Sequence, residues 1–502
     1  MNKITYIKYD KLSTIIAKKY KLYYNQSMKK ITFTNTLGKT KQELKPLDKN
    51  NITMYHCGPT VYWTQHIGNL RAVVMADLVV RTLSYLDYKV KLVRNYTDVG
   101  HLTSDSDTGQ DKMEKAAKRE SLSPDEIAQK YIDIFEHDIH ALGVPDADVK
   151  PRATKHVNEM IAMVQELLKK EYAYTTDLAV YFDVSKANDY TKLSGQNLEE
   201  NIAHAGTGDV KDDDKKNPAD FALWFFKAGA HANALQTWSS PFTSPLVQNG
   251  EGFPGWHIEC SAMAQKHLGN TIDIHMGGIE HIPVHHTNEI AQSEHATGEP
   301  FANIWLHNEH LTVDDKKMAK SEGTSFSLQE IVEKGFDPLA LRYFFLQAHY
   351  RSKQNFTWEA LASAQTTLNK LYLQILNLPE KGGSLNDEFA RTFTKALSDD
   401  VNTPQALAVV WDMLKSDIPA EDKYKTLMSF DEVLGLSLQK RREHITHALE
   451  TLPKEVSDMM KERDNARNEK NWPKADSLRD AILEKGFWVE DTPDGTKLIP
   501  KL

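Results

Sequence analysis

Cys57 and Cys260 are the only two cysteines in 502 residues, and each sits in a run suited to chemistry: Met54-Tyr-His-Cys-Gly-Pro-Thr60 and Gly255-Trp-His-Ile-Glu-Cys-Ser261. Thiolates are soft metal ligands. Downstream, His285 and Glu289 stand four apart, a spacing that on a helix puts an imidazole and a carboxylate on one face, where they can grip one ion. Two thiolates, one imidazole and one carboxylate would make a zinc shell. Two cysteines 203 residues apart are just as readily two small buried hydrophobes, so neighbouring motifs must decide.

The elements that would position these groups follow from periodicity. From Ile52 the pattern is a short strand, a Gly-Pro turn, and a helix from near Gly68 through Ala72, Val73, Met75, Ala76, Leu78, Val79 and Leu83; Lys89 to Asn95 reads as the next strand. Strand, helix, strand at this spacing predicts a parallel, doubly wound α/β sheet with its ligand at the carboxyl ends of the strands. The sheet is interrupted between about 103 and 240 by helical stretches and a polar region, then resumes at Thr271-Ile-Asp-Ile-His-Met276 and runs into Gly277-Gly278. His66-Ile-Gly-Asn69 falls at the first strand-to-helix turn, where a helix N-terminus favours phosphate and a glycine lets it approach. Lys317-Met-Ala-Lys-Ser321 carries two lysines three apart, able to neutralise charge on a leaving pyrophosphate. Either motif alone is weak, since lysine-rich loops are common solvated surface.

The chain's length implies roughly three domains or more. With 40% apolar and 26% charged residues, and no apolar run of the roughly 18 to 20 residues a membrane helix needs, the composition is that of a globular protein without a membrane role. Two distant cysteines and no secretory signal point to a cytoplasmic location. A net charge of −9 argues against indiscriminate nucleic-acid binding but leaves room for a local RNA groove. The first 27 residues hold six lysines and one acid, Asp10; they read as an unstructured extension, with a basic RNA-binding arm as the other possibility.

Taken together and in order, the two phosphate motifs resemble the HIGH and KMSKS signatures of class I aminoacyl-tRNA synthetases, and within that class the chain resembles the cysteinyl-tRNA synthetases. The resemblance rests on Cys57-Gly-Pro-Thr-Val-Tyr62, Asn95-Tyr-Thr-Asp-Val-Gly-His-Leu102, Asp220-Phe-Ala-Leu-Trp224, Pro254-Gly-Trp-His-Ile-Glu-Cys-Ser-Ala-Met263, Gly277-Gly-Ile279, His285-His286, Asn288-Glu-Ile-Ala-Gln-Ser293 and Lys317-Met318. It implies a two-step reaction: cysteine and ATP, with Mg2+, form an adenylate, and the acyl group then passes to tRNA(Cys). It implies one zinc on Cys57, Cys260, His285 and Glu289, the set that ligand chemistry also suggests, with His286 beside the metal or facing the nucleotide. The metal would then select cysteine by its thiolate; a purely structural zinc is the alternative. Thr97 and Trp256 would line the amino-acid pocket. His66, Gly68 and Asn69 would meet ATP phosphates, Gly277 and Gly278 the adenosine, and Lys317 and Lys320 the pyrophosphate. The chain departs from the family pattern at Asn69 for the second histidine of HIGH, Ala319 for the central serine of KMSKS with Glu322 beside it, Glu280 for aspartate, and Phe253 for arginine.

Beyond Phe336 the chain reads as helical, with Thr403 as N-cap and Pro404 as the first residue of one helix. The last fifty residues read as a charged helix ending at Gly486 and a hairpin. That unit resembles the anticodon-binding end of bacterial members, with Arg467, Trp472, Asp476 and Asp491 at base-reading positions, although Trp472 could equally anchor a small core. The implied division is 28–335 catalytic, 336–450 helical and 451–502 anticodon-binding, in a monomer. A relative that joins cysteine to a small amine, as in mycothiol synthesis, and a catalytically dead zinc protein that binds RNA or a partner, are the competing functions.

Overall fold

The computed structural model describes residues 30–100, 112–196, 212–318, 324–492 and 495–501. The basic N-terminal stretch, residues 319–323 with Ala319, Lys320 and Glu322, and the Lys317 side chain lie outside the described residues.

A four-stranded parallel sheet organises the site, in the order Ala302–Asn308, Ile272–Gly278, Asn51–His56, Lys89–Arg94. Asn51–His56 and Lys89–Arg94 pair in parallel from Asn51 opposite Lys89 to His56 opposite Arg94. The Ile67–Tyr85 helix joins them and buries Leu70, Val74, Leu78 and Val79. From Asn51–His56 the chain first builds outward to one side and, after a long excursion, returns on the other at Ile272–Gly278. The strand order therefore reverses beside Asn51–His56, and the crevice outside the carboxyl ends at that point is where such sheets hold ligands. The α/β, doubly wound fold expected of the sequence is the one observed.

The excursion contains the helices Lys112–Glu120, Pro124–Ala141 and Val157–Lys169, followed by a four-stranded antiparallel sheet absent from the sequence reading. Its strands, Ala173–Thr175, Ala179–Phe182, Phe221–Phe226 and Gly252–Pro254, are short, and Phe221–Phe226 is buried along its whole length, so alternation cannot reveal it. This sheet delivers the chain into the Trp256–Leu268 helix, with the Gly255 N–H donating to the Leu223 carbonyl at 3.0 Å. A Cβ on Gly255 would fall 2.0 Å from the Ala222 carbonyl oxygen, so the run before Trp256 needs glycine.

After the parallel sheet a small three-stranded sheet, in the order Lys316–Lys317, Leu311–Val313, Gln354–Phe356, interrupts the helices, so the stretch expected to be helical beyond Phe336 contains one strand; from Trp358 the regular elements are helices up to the terminal hairpin. Two further sequence expectations need correction. The cap of the Thr403–Lys415 helix is Asn402, whose side chain accepts from the Gln405 N–H at 3.2 Å; Thr403 and Pro404 are the first two helical residues. The C-terminal unit has two helices, Lys454–Asn468 and Trp472–Glu484, where one was expected. Lys470 adopts a φ of 56°, ending the first, and Asn471 caps the second with Pro473 in its opening turn. The hairpin follows as expected, Phe487–Thr492 against Gly495–Pro500.

Candidate active site

At the sheet's carboxyl edge lies a cavity of about 430 Å³, lined at one end by Cys57, Cys260, His285, Thr97 and Trp256 and at the other by His66, Gly68, Asn69 and Met318.

Cys57 follows the first strand, Cys260 lies in the opening turns of the Trp256–Leu268 helix, and His285 and Glu289 lie in the first turns of the His285–Thr297 helix. Cys57 Sγ is 3.9 Å from Cys260 Sγ, 3.8 Å from Glu289 Oε1 and 3.3 Å from His286 Nε2. His285 Nε2 is 2.8 Å from Glu289 Oε1. A tetrahedral zinc with bonds of about 2.3 Å to sulfur sets its two sulfurs about 3.8 Å apart, so the two thiols have the right separation. The ligand atoms of Cys57, His285, His286 and Glu289 all lie within 4.8 Å of one another. That donor group, with His286 where the sequence pointed to Cys260, is compatible with zinc, and Cys260 stands beside it at 3.9 Å from Cys57 Sγ. His286 is fully buried, with its Nε2 among these donor atoms.

Charge in the cluster is arranged around the carboxylate. Burial alone would raise the Glu289 carboxyl, but His275 and His285 overcome it and hold the group well below the usual carboxylate range. Burial likewise pulls His285 down, yet Glu289 and Cys260 bring it up to about 10. The Cys57 thiol donates to Cys260 and brings that thiol to about 6 against its burial. Burial, then the hydrogen bond to Cys260, push Cys57 itself well above its ordinary value. The pair thus yields its first proton readily and its second with difficulty.

The sequence reading missed the residues that hold these ligands. His275 Nε2 lies 2.7 Å from Glu289 Oε2, His257 Nδ1 lies 2.9 Å from His285 Nδ1, and His286 Nδ1 lies 2.7 Å from His307 Nε2. Such outer contacts fix ring orientation at metal sites. A Cβ on Gly277 would lie 2.6 Å from the His286 ring and 2.9 Å from His281 Nδ1; Gly277 makes room for histidines, while Gly278 and Glu280 line the cavity. Trp256 stacks on the His285 ring, centroids 4.2 Å apart at 23°. Thr97 is buried at the cavity wall, and its hydroxyl donates to Glu259 Oε2 at 2.9 Å.

At the other end, His66 caps the Ile67–Tyr85 helix, its Nδ1 accepting from the Asn69 N–H at 3.2 Å. With Nδ1 an acceptor, Nε2 carries the proton and is the ring's donor. The two phosphate motifs touch. A Cβ on Gly68 would fall 2.3 Å from the Met318 methyl, Ile67 N–H donates to the Phe326 carbonyl at 2.8 Å, and the Lys316–Lys317 backbone pairs with Thr312 and Val313.

In the C-terminal unit, Arg467 Nη1 lies 2.8 Å from Asp491 Oδ2, and Arg463 grips the same carboxylate at 2.9 and 3.0 Å. These arginines, Arg463 first, hold Asp491 below its ordinary value against partial burial. Trp472 is 53% exposed, which removes a core-anchor role, with the Arg467 guanidinium 5.9 Å from its ring centre. Asp476 is exposed one turn further along the same helix.

Residues 43–366 match the model of the class I (C) tRNA synthetase catalytic domain, 392–416 the DALR domain, and 449–497 the cysteinyl-tRNA ligase anticodon binding domain. The fold is similar to that of Mycobacterium tuberculosis methionyl-tRNA synthetase in complex with methionyl-adenylate, with a TM-score of 0.52 at 14% identity over 77% of this chain and 90% of that one. Sheet, crevice and paired phosphate motifs are those of a class I aminoacyl-tRNA synthetase. Cysteine–tRNA ligase 1 of Burkholderia lata is 44% identical over 92% of this chain and 96% of its own. The cysteine–tRNA ligases of Chlorobaculum tepidum (93% of this chain, 98% of theirs) and Treponema denticola (91% and 97%) are 40% and 39% identical. With a catalytic-domain match over more than half its length and relatives of this identity, the chain belongs to the cysteine–tRNA ligase family. It is a class I enzyme of tRNA cysteinylation, which acts on tRNA, ATP and an amino acid. No helix among the described residues is long and apolar enough to cross a membrane.

Proposed function

We propose that the protein converts L-cysteine and ATP to cysteinyl-adenylate and passes the acyl group to tRNA(Cys), choosing cysteine by its thiol. One observation carries this reading: a single cavity joins the Cys57–Cys260–His285 end to the His66–Asn69 end, so a small thiol and a triphosphate can meet inside it.

Cys57, Cys260, His285 and Glu289 would hold zinc, which when bound supplies a soft Lewis acid that a thiolate joins readily and a hydroxyl poorly. Size alone would separate cysteine from serine or alanine by only about 1–3 kcal/mol. Trp256, backed by His285, offers a flat wall to the substrate. Thr97 directs its hydroxyl hydrogen to Glu259 and accepts from Asn95 Nδ2 at 3.3 Å, which leaves one further acceptor site on its oxygen for the α-ammonium. His66 and Asn69 hold phosphate oxygens of the magnesium complex of ATP at a helix N-terminus, and Gly278 and Glu280 flank the adenosine. Lys317 and Lys320 neutralise the leaving pyrophosphate. Catalysis is positioning and charge stabilisation, with no covalent enzyme intermediate.

Residues 336–450 form the body that meets the tRNA stem, and 451–502 read the anticodon through Arg467, Trp472, Asp476 and Asp491, an arginine–aromatic platform suited to unstacked bases. That terminal stretch holds ten basic and eleven acidic residues, so stacking and hydrogen bonds outweigh bulk charge. The enzyme acts as a cytoplasmic monomer. Charging of a tRNA(Cys) transcript tests the reading: cysteine should be attached and serine not, and equal attachment of both would contradict it.

A further inference from the structure

Asn69 stands where the class signature has its second histidine, and an amide poses a problem that an imidazole does not. Turned one way it offers a phosphate oxygen an N–H; turned the other, it offers a carbonyl oxygen that repels the phosphate. Hydrogen bonding around Gln65 decides between them. Gln65 Nε2 donates to the Thr60 carbonyl at 3.2 Å and to the Trp63 carbonyl at 3.1 Å. Carbonyl oxygens only accept, so the nitrogen end of Gln65 must face them. Its Oε1 then faces Asn69, 2.9 Å from Asn69 Nδ2. Because Oε1 can only accept, Asn69 must present its NH2 group there, and the orientation of both amides is set in sequence from two backbone carbonyls. One Nδ2 hydrogen is used on Gln65, and the second is left on the same fixed nitrogen. Gln65 itself precedes the helix cap His66, so the clamp and its target lie within one turn.

We infer that Gln65 is a positioning residue for ATP: it locks the Asn69 amide so that an N–H, never the carbonyl oxygen, meets a phosphate oxygen. The inference rests on the proposed contact between Asn69 and the ATP phosphates. It assigns Gln65 no contact with cysteine or with the metal group.

The test is cysteine-dependent ATP/pyrophosphate exchange by the full chain, with zinc content and thermal midpoint read on the same samples. Gln65→Ala should lower kcat/KM for ATP roughly tenfold, the size of one lost orienting hydrogen bond, with KM for cysteine and zinc content unchanged. The decisive arm is the double-mutant cycle with Asn69→His. A ring nitrogen needs no choice of amide orientation, so Gln65→Ala should cost less than about twofold in the histidine background. Equal losses in both backgrounds, or a loss that follows a lower thermal midpoint, would mean that Gln65 merely supports the Thr60–Trp63 turn and would overturn the inference. An unchanged kcat/KM for ATP in Gln65→Ala overturns it without the cycle, even if Asn69→His proves inactive. Absence of exchange in the wild-type protein would instead strike the proposed function itself, a result readily told apart from these.

Discussion

The two ends of the active-site cavity are built on opposite plans. At the metal end Cys260, His285, His286 and Glu289 are buried, and partners from distant elements hold the ligands: His275 holds Glu289, His257 holds His285, and His307 holds His286 while itself contacting Thr36. At the phosphate end Asn69 is exposed and its partners are local, the His66 ring and Gln65. On the proposed function, the difference follows from what each end would recognise. A thiolate would be told from a hydroxyl by a soft metal, which a dry, pre-set donor cluster holds. A triphosphate carries enough charge to be held by a helix N-terminus and lysines at a more open surface.

The contrast can be broken by experiment. His285→Ala should remove zinc and lower cysteine-dependent pyrophosphate exchange by roughly three orders of magnitude, on the scale of losing a metal's contribution; full zinc retention by atomic absorption would show that the cluster tolerates a missing ligand. His275→Ala leaves every ligand in place but frees Glu289, and should weaken zinc by about 10–100-fold in chelator competition. No change there would mean that the buried end is not pre-set by its outer histidines. Trp472→Ala, far from both ends, should raise KM for tRNA about tenfold, as expected for one lost stacking platform, with exchange as the internal reference. Smallest, Gly68→Ala sets a methyl against Met318, the far end of a flexible side chain, and should cost only a few-fold in kcat/KM for ATP. A loss as large as that of His275→Ala in zinc affinity would show the phosphate end to be as rigid as the other.

Legibility in the sequence follows the same divide. Cys57, Cys260, His285 and Glu289 stood out because soft-ligand types and an i, i+4 pair are uncommon enough to notice, and the structure gathers them, with His286 added, at one end of the cavity; the two phosphate-type motifs stood out because each sits at a strand or helix terminus. The histidines behind the ligands could not. His275 and His307 are each the only histidine of a buried strand, and a lone buried histidine gives no periodic sign of its partner. The antiparallel sheet of the insertion was hidden because its strands are three to six residues long, with 38 residues between the second and third. The break before Trp472 did carry a signal, Asn471 with Pro473 as a helix start, overridden in the sequence reading by the continuous charge on either side. Gln65 has no signature at all: its importance rests on which atoms of two amides face each other.

The most direct test of the account is ATP/pyrophosphate exchange with cysteine and with serine, on the wild-type protein and on Cys260→Ala, with zinc measured on the same samples. The account predicts exchange with cysteine and not with serine in the wild type, and loss of both zinc and exchange in Cys260→Ala. Exchange that persists in Cys260→Ala after its zinc is gone, or a wild-type enzyme that accepts serine as readily as cysteine, would contradict selection by the thiol at this cluster.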